Sequence, residues 1–304
     1  MRVFVTGASG WIGSAVVPEL IGAGHRVVGL ARSDASAAAL DRAGAEVRRG
    51  TLDDLDVLRD AAAASDGVIH LAFKHDVAFD EGRFPDAAAA DRRAVEAFAD
   101  ALAGTGRPFV LASGLLGLAP GRVATERDEG GAAEWGEGPS LRQATAKLVL
   151  SLASRGVRSS VVRLPPTVHG DGDRGFMAGL VAIARDTGVS GYVGDGADRW
   201  PAAHVLDAAN LFRLALEKAP AGSALHASAD EGVPLRAIAE VIGRRLGLPV
   251  ESIAPEDAAR HFGWLAAMVG VDSPASSALT RELLGWRPVQ AGLLDDLDKG
   301  HYFA

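Results

Sequence analysis

The sequence predicts an α/β protein: a doubly wound parallel sheet, followed by a smaller, mainly helical region. Three observations predict it. Short apolar runs alternate with helix-length amphipathic segments through the first half of the chain. The first of those runs leads into a glycine-rich turn that opens a helix. Beyond Pro165-Pro166 the alternation gives way to helical patterns joined by loops containing Gly and Pro.

The first strand is Val3 to Val5, and it runs into Thr6-Gly7-Ala8-Ser9-Gly10-Trp11-Ile12-Gly13. Each glycine has its own reason in such a turn. Gly7 permits the sharp exit from the strand, Gly10 leaves room for backbone to approach an anion, and Gly13 allows close helix packing. The helix that follows is amphipathic through Ile12, Val16, Val17, Leu20 and Ile21. Its free N–H groups and positive end would face the pyrophosphate of a dinucleotide. The sheet is therefore expected to be of the Rossmann type.

A strand at Val27 to Leu30 comes next, then a helix from Ala35 to Ala43 with Ser33 or Asp34 as its cap. Glu46 to Arg49 is a short strand before a helix through Leu55, Val57 and Leu58. Gly67 to Leu71 reads as a buried strand, Ala87 to Ala103 as a long helix, and Pro108 to Ala112 as another strand. A helix from Leu141 to Ser154 and a strand from Ser159 to Leu164 complete the series. Units of this size give a parallel sheet covered on both faces. Leu118 to Pro139 has no period and reads as a loop over the nucleotide cleft or as a neutral surface loop. Helices are then expected at Met177 to Arg185, Leu206 to Glu217 and Leu235 to Leu246. This divides the chain into a dinucleotide-binding domain, residues 1–165, and a mainly substrate-binding domain, residues 166–304. Part of the latter, around 200–228, is expected to return to the first domain.

Composition narrows the function classes. The chain has 304 residues, 48% of them hydrophobic, and a formal net charge of −8. Without a clustered basic stripe, that charge argues against nucleic acid or an anionic membrane surface as partner. The absence of cysteine excludes disulfides, thiolate metal sites and a thiol nucleophile. The first residues enter a strand directly and no apolar run reaches membrane-spanning length, so a cytoplasmic protein is expected. Gly170-Asp171-Gly172-Asp173 reads as a turn, and no metal is assigned.

With these segments in view, the chain resembles the short-chain dehydrogenase/reductase superfamily, in its extended branch of epimerase- and dehydratase-like proteins. The likeness is carried by the glycine turn and by Gly24-His25-Arg26-Val27 entering the second strand. Val68-Ile69-His70-Leu71-Ala72, Arg163-Leu164-Pro165-Pro166-Thr167-Val168-His169-Gly170 and Leu284-Gly285-Trp286-Arg287-Pro288 extend it over nearly the whole chain. The resemblance implies that Thr6, Gly7, Ser9, Gly10, Trp11, Ile12 and Gly13 border the dinucleotide. It also places Leu52 and Asp53 at the adenine, and Leu71, Ala72 and Phe73 beside the cofactor. Leu164, Pro165, Pro166 and Thr167 fall in the turn near the nicotinamide. Many relatives dimerise, so a homodimer is possible.

NAD-selective relatives carry an acid after the second strand, whereas this chain has Leu30-Ala31-Arg32-Ser33. A carboxylate there repels a ribose phosphate, while Arg32 offers it a planar, permanently charged fork and Ser33 a hydroxyl. NADP(H) is thus expected in preference to NAD(H). The alternative leaves Arg32 solvated and gives the ribose contact to Asp34.

The superfamily's usual chemistry uses a Tyr four residues before a Lys on one helix face. Here Ser140-Leu141-Arg142-Gln143-Ala144-Thr145-Ala146-Lys147 keeps the Lys at Lys147 and places Gln143 at the Tyr position. The resemblance gives Lys147 the nicotinamide ribose as well as a catalytic role. A Gln amide hydrogen-bonds an oxygen but is no general acid near neutral pH. Ser113 is a candidate helper, with a structural strand-end serine as the alternative. His169 is a candidate proton donor because imidazole chemistry suits proton transfer, although relatives often carry a structural aromatic there. Lys74 and His75 reach toward the pocket mouth or form a solvated loop, and His25 and His70 are read as structural. Arg174 and Arg199 are possible anion contacts. Trp200, Phe176, Met177, Phe262, Trp264 and Met268 form either an apolar pocket or ordinary core.

The leading expectation is an NADPH-dependent reductase of a carbonyl-type small molecule, working without the usual Tyr. Two alternatives stay open: a redox-neutral isomerase or cyclase that retains the cofactor, and a non-catalytic NADP-sensing regulator.

Overall fold

A computed structural model of the chain describes residues 1–130 and 137–303. Residues 131–136 of the expected cleft loop therefore lie outside the described residues. The first half runs β1 (Arg2–Thr6), α1 (Trp11–Gly22), β2 (Arg26–Ala31), α2 (Asp34–Arg42), β3 (Glu46–Arg49), α3 (Leu55–Ala63) and β4 (Gly67–His70). It continues with α4 (Phe84–Leu102), β5 (Pro108–Gly114), α5 (Glu137–Ser151) and β6 (Arg158–Leu164). Beyond it come β7 (Thr167–His169), α6 (Phe176–Thr187), β8 (Ser190–Val193), β9 (Arg199–His204), α7 (Val205–Lys218), β10 (Ser223–His226) and β11 (Asp230–Pro234). α8 (Leu235–Leu246), β12 (Val250–Ile253), α9 (Ala258–Phe262), α10 (Ala266–Val269), α11 (Ala278–Leu284) and α12 (Leu293–Asp298) end the series.

Seven parallel strands form the main sheet in the order β10-β6-β5-β4-β1-β2-β3. Strand order reverses between β1 and β4, so the crevice for a ligand opens outside the carboxyl ends of those two strands. Burial on both faces explains why these strands read as apolar runs. On one face Val16, Val17 and Leu20 of α1 pack with Leu211, Phe212 and Ala215 of α7. On the other, Phe4 and Phe109 meet Leu58, Phe98 and Val149 from α3, α4 and α5. Arg107 ties this second layer together. Its guanidinium donates to the carbonyls of Ala62, Ala63, Ser65 and Ala101, satisfying the ends of α3 and α4.

The region after residue 165 is less helical than the sequence pattern suggests. It contains a three-stranded sheet, β11-β9-β7, and a two-stranded pair, β12-β8. β9 and β11 carry Pro, Gly and charges instead of apolar alternation, and β7 is only three residues long, so the local pattern offers no strand signal. The chain returns to the main sheet through β10, which pairs with β6.

A buried polar joint fastens the following segment to that edge. The Nδ1 of His226 faces the Ser276 carbonyl at 2.8 Å, and its Nε2 lies 3.2 Å from Arg163 Nη1. The carbonyl must accept, so Nδ1 carries the proton and Nε2 accepts from the guanidinium. Arg163 also donates to the Asp128 carbonyl at 2.7 Å. Glu126 accepts from both the N–H and the hydroxyl of Thr280. Burial, then the Arg163 charge, holds the His226 pKa down at about 4.

Candidate active site

The glycine turn is built by close backbone contacts. Gly7 has φ +67°, and a Cβ there would lie 2.7 Å from the Ala72 nitrogen. The Gly10 N–H closes the turn on the Gly7 carbonyl at 3.0 Å, and Gly10 caps α1 with no side-chain cap. A Cβ on Gly13 would sit 2.1 Å from the Gly7 oxygen, so Gly13 lets α1 start directly against the turn. Among the described residues no backbone carbonyl accepts from the N–H groups of Trp11, Ile12 and Gly13. Exposed Ser9 and Gly10 lead to those donors. This cradle fits a pyrophosphate: unpaired donors, no Cβ in the way and the positive end of a helix.

Two members of the expected contact set are used differently. The Trp11 indole donates to the Val168 carbonyl at 2.8 Å, so its side chain fixes β7 against the cradle, while its backbone N–H stays among the unpaired donors. Thr6 is fully buried. Its hydroxyl lies 2.5 Å from His70 Nδ1 and accepts from the Ala72 N–H at 3.3 Å. Thr6 thus pins the segment after β4 and presents no side chain to the cleft. His70 Nε2 in turn stands 3.2 Å from the buried Asp91 carboxylate.

Arg32 is exposed just beyond β2, and its Nη1 donates to Asp76 Oδ2 at 2.9 Å. Ser33 caps α2 by accepting from the Ser36 N–H, which commits its oxygen to the helix. Asp34 pairs with Arg49 at 2.5 Å. The Asp53 carboxylate holds Lys74 at 2.6 Å and faces Arg93 at 3.6 Å, while Leu52 is buried beneath.

Beyond β4, Leu71, Ala72 and Phe73 are half-buried. Gln143 and Lys147 lie one turn apart on α5 and address the same residue. A Cβ on Gly130 would be 3.1 Å from the Gln143 amide carbon, and Lys147 Nζ is 3.4 Å from the Gly130 carbonyl oxygen. Ser113 is buried at the end of β5, level with Arg163 of β6. Sequence reasoning passed over Arg142. Its guanidinium stacks 4.2 Å above the Phe73 ring and donates to the Ala112 carbonyl at 2.8 Å. It clamps the segment after β4 and the end of β5 to the helix that carries Gln143 and Lys147. Burial lowers its pKa, and the Asp91 charge opposes that shift.

The turn after β6 departs most from expectation. Leu164 and Pro166 are half-buried and Pro165 is buried. Thr167 is buried with its hydroxyl on the Pro201 carbonyl at 2.6 Å, so it faces β9 and not the cleft. His169 has no exposed surface, and its Nδ1 bonds Asp296 Oδ2 of α12 at 2.9 Å. That geometry makes it an anchor between β7 and α12 rather than an accessible proton donor. Tyr302 donates to Asp173 at 2.9 Å and accepts from the Gly170 N–H at 3.2 Å, closing the same turn from the end of the described chain. Asp296 and Tyr302 stand well over a hundred residues from these partners, and no spacing rule links them. Burial raises the pKa of Asp173.

Arg199 is a fork to Asp272, with Nε and Nη2 bonds of 2.9 and 2.8 Å, and is therefore no anion contact. Arg174 is exposed. Trp200, Met177 and Phe262 are core, whereas Trp264 is 58% exposed beside Phe176. Among the described residues no group of three His, Asp or Glu side chains is placed to hold a metal, and no helix is long and apolar enough to cross a membrane.

A family model described as "NAD dependent epimerase/dehydratase family" matches residues 3–227. An uncharacterised protein of Schizosaccharomyces pombe is 47% identical over 304 residues, covering 100% of both chains. A 4-hydroxy-2-methyl-3-oxo-4-farnesyl-3,4-dihydroquinoline-1-oxide ketoreductase of Stigmatella aurantiaca is 27% identical over 90% of this chain and 84% of its own. Among solved structures, the UDP-glucose 4-epimerase of Thermotoga maritima, in a structure with UDP-glucose, superposes with a TM-score of 0.78. It is 19% identical and covers 100% of this chain and 98% of that one, a likeness of fold. The cradle at the strand switch point and the match over residues 3–227 agree: the chain belongs to the NAD dependent epimerase/dehydratase family.

Proposed function

We propose that this protein is an NADP(H)-dependent reductase of a small carbonyl compound, working without a tyrosine acid. The observation that carries the reading is the pairing of Gln143 and Lys147 on one face of α5, in a chain with an exposed arginine directly after β2. The Stigmatella relative is a ketoreductase by name, which favours carbonyl reduction over sugar epimerisation.

When bound, the nicotinamide supplies the hydride. The chain's own residues do the rest. The N–H groups of Trp11 to Gly13 hold the pyrophosphate, and Arg32 takes the ribose phosphate as a fork. Lys147 donates to the nicotinamide ribose and sets the ring's position. Gln143 offers an amide N–H to the carbonyl oxygen and polarises it, but releases no proton. Water or a hydroxyl of the substrate then delivers the proton.

The test is NADPH oxidation with a panel of aldehydes and ketones. The parent should consume NADPH with at least one acceptor, and Lys147→Ala should lower that turnover by on the order of ten- to a hundredfold. Gln143→Tyr should raise it, because a positioned acid contributes on the order of 10²–10⁴-fold. Arg32→Asp should weaken NADPH by about tenfold or more and spare NADH. Tight NADPH binding with no oxidation by any acceptor would replace the reductase with a cofactor sensor. Equal effects of Arg32→Asp on both cofactors would remove the NADP assignment.

A further inference from the structure

We infer that Asp76 is an internal competitor for the phosphate-reading cation, so that this one carboxylate sets how strongly the protein favours a ribose 2′-phosphate over a bare ribose. The inference rests on the reading of Arg32 as the phosphate contact.

Asp76 comes from the segment after β4, and Arg32 from the end of β2. In the sheet these strands flank β1, which carries the glycine turn. The 2.9 Å pair therefore spans the mouth of the crevice on its adenosine side. Asp76 is held in place for this contact. Its second oxygen accepts the Val77 N–H at 3.0 Å, and it opens a π-helical turn, Asp76–Asp80, a local geometry often found at functional positions. The bond from Arg32, then that from Val77, keeps its carboxyl below the usual range, so the competing charge is present at neutral pH. Nearby cations are engaged elsewhere: Arg49 with Asp34, and Lys74 with Asp53.

A phosphate monoester carries more charge than a carboxylate and matches the guanidinium fork, so it displaces Asp76 from this exposed pair. The displaced carboxylate stays on a neighbouring segment and repels the newcomer. A bare ribose neither competes for Arg32 nor suffers that repulsion. Asp76 therefore taxes the phosphorylated ligand alone.

Calorimetric titration with adenosine 2′,5′-bisphosphate and with adenosine 5′-monophosphate tests this apart from any turnover. Asp76→Asn should tighten the bisphosphate by about three- to tenfold at low salt, leave the monophosphate unchanged, and lose the gain as ionic strength rises. Asp76→Ala, which also removes the bond to Val77, should behave alike. If neither Asp76 variant changes bisphosphate affinity while Arg32→Ala weakens it, the competitor is overturned and the phosphate contact stands. If Arg32→Ala is silent as well, the NADP reading falls and takes the competitor with it. A gain of equal size for both nucleotides would also overturn the inference, because it would mark a general opening of the crevice.

Discussion

Gly13→Ala should abolish detectable dinucleotide binding and lower the thermal unfolding midpoint of the protein. The added Cβ would stand 2.1 Å from the Gly7 oxygen, 2.6 Å from the Ala8 carbonyl carbon and 2.7 Å from the Ala8 Cα. All three are backbone atoms, so no side chain can swing aside. The turn cannot yield freely either. Gly7 is already against Ala72, and the Gly7 carbonyl receives the Gly10 N–H that closes the cradle. Relief requires α1 to withdraw from β1, which carries away the donors of Trp11, Ile12 and Gly13. Overpacking of this kind costs about 1–3 kcal/mol or more in stability, before the loss of aligned donors is counted. Gly22, near the end of the same helix, is the control. A Cβ there meets nothing within 4 Å, so Gly22→Ala should bind normally and gain about 0.5–1 kcal/mol. Fluorescence titration with NADPH and a thermal melt measure both variants. Parental affinity in Gly13→Ala would move the dinucleotide away from this turn.

The sequence made the main sheet legible because strands buried on both faces must be apolar runs. Val3 to Val5, Val27 to Leu30 and Pro108 to Ala112 are such runs, and each lies within an observed strand. The helix Leu235–Leu246 could be read to the residue, since its apolar face and closing Gly247 mark both ends. By contrast, Arg199–His204 and Asp230–Pro234 are strands by virtue of partners distant in sequence: the first pairs with both Thr167–His169 and the second. Local pattern carries no trace of a partner so far along the chain. The same limit applies at the site. Motif position marked Thr6 and Thr167 as cleft residues, but only the fold determines that their hydroxyls turn to His70 and Pro201. Arg142 was hidden for the opposite reason. One place before Gln143 on an amphipathic helix, it resembles a solvated residue until Phe73 is folded beneath it. Spacing finds groups that share an element, such as Gln143 and Lys147. It misses groups that meet across elements, such as His169 with Asp296 or Asp173 with Tyr302.

The joint at His226 should make the fold acid-sensitive between pH 6.5 and about 4. The native ring must stay neutral, because Nδ1–H serves the Ser276 carbonyl and Nε2 faces the Arg163 guanidinium. A proton on Nε2 would leave two buried cations 3.2 Å apart. The charges facing the pair are Glu126, Asp128 and, on the Arg163 side, Glu129; these acids offset the arginine only partly, since the native pKa stays near 4 against an ordinary 6.5. The sign follows from proton counts. Between pH 6.5 and about 4 the unfolded histidine binds a proton that the native one refuses, so stability falls as pH falls through that window. The contribution is whole above the unfolded value and lost at or below the native one. Its full size is on the order of 3 kcal/mol, from about 1.4 kcal/mol per pH unit. Other histidines with lowered pKa values, His75, His204 and His261, push the same way, so the parent curve alone does not isolate the joint. His226→Gln does isolate it. An amide can accept from Arg163 and donate to Ser276 without titrating. Urea unfolding across this window should show the parent losing stability more steeply than His226→Gln by up to that amount. Parallel curves would mean that the ring does not accept from Arg163, and that some other contact fastens the segment after β10 to the sheet.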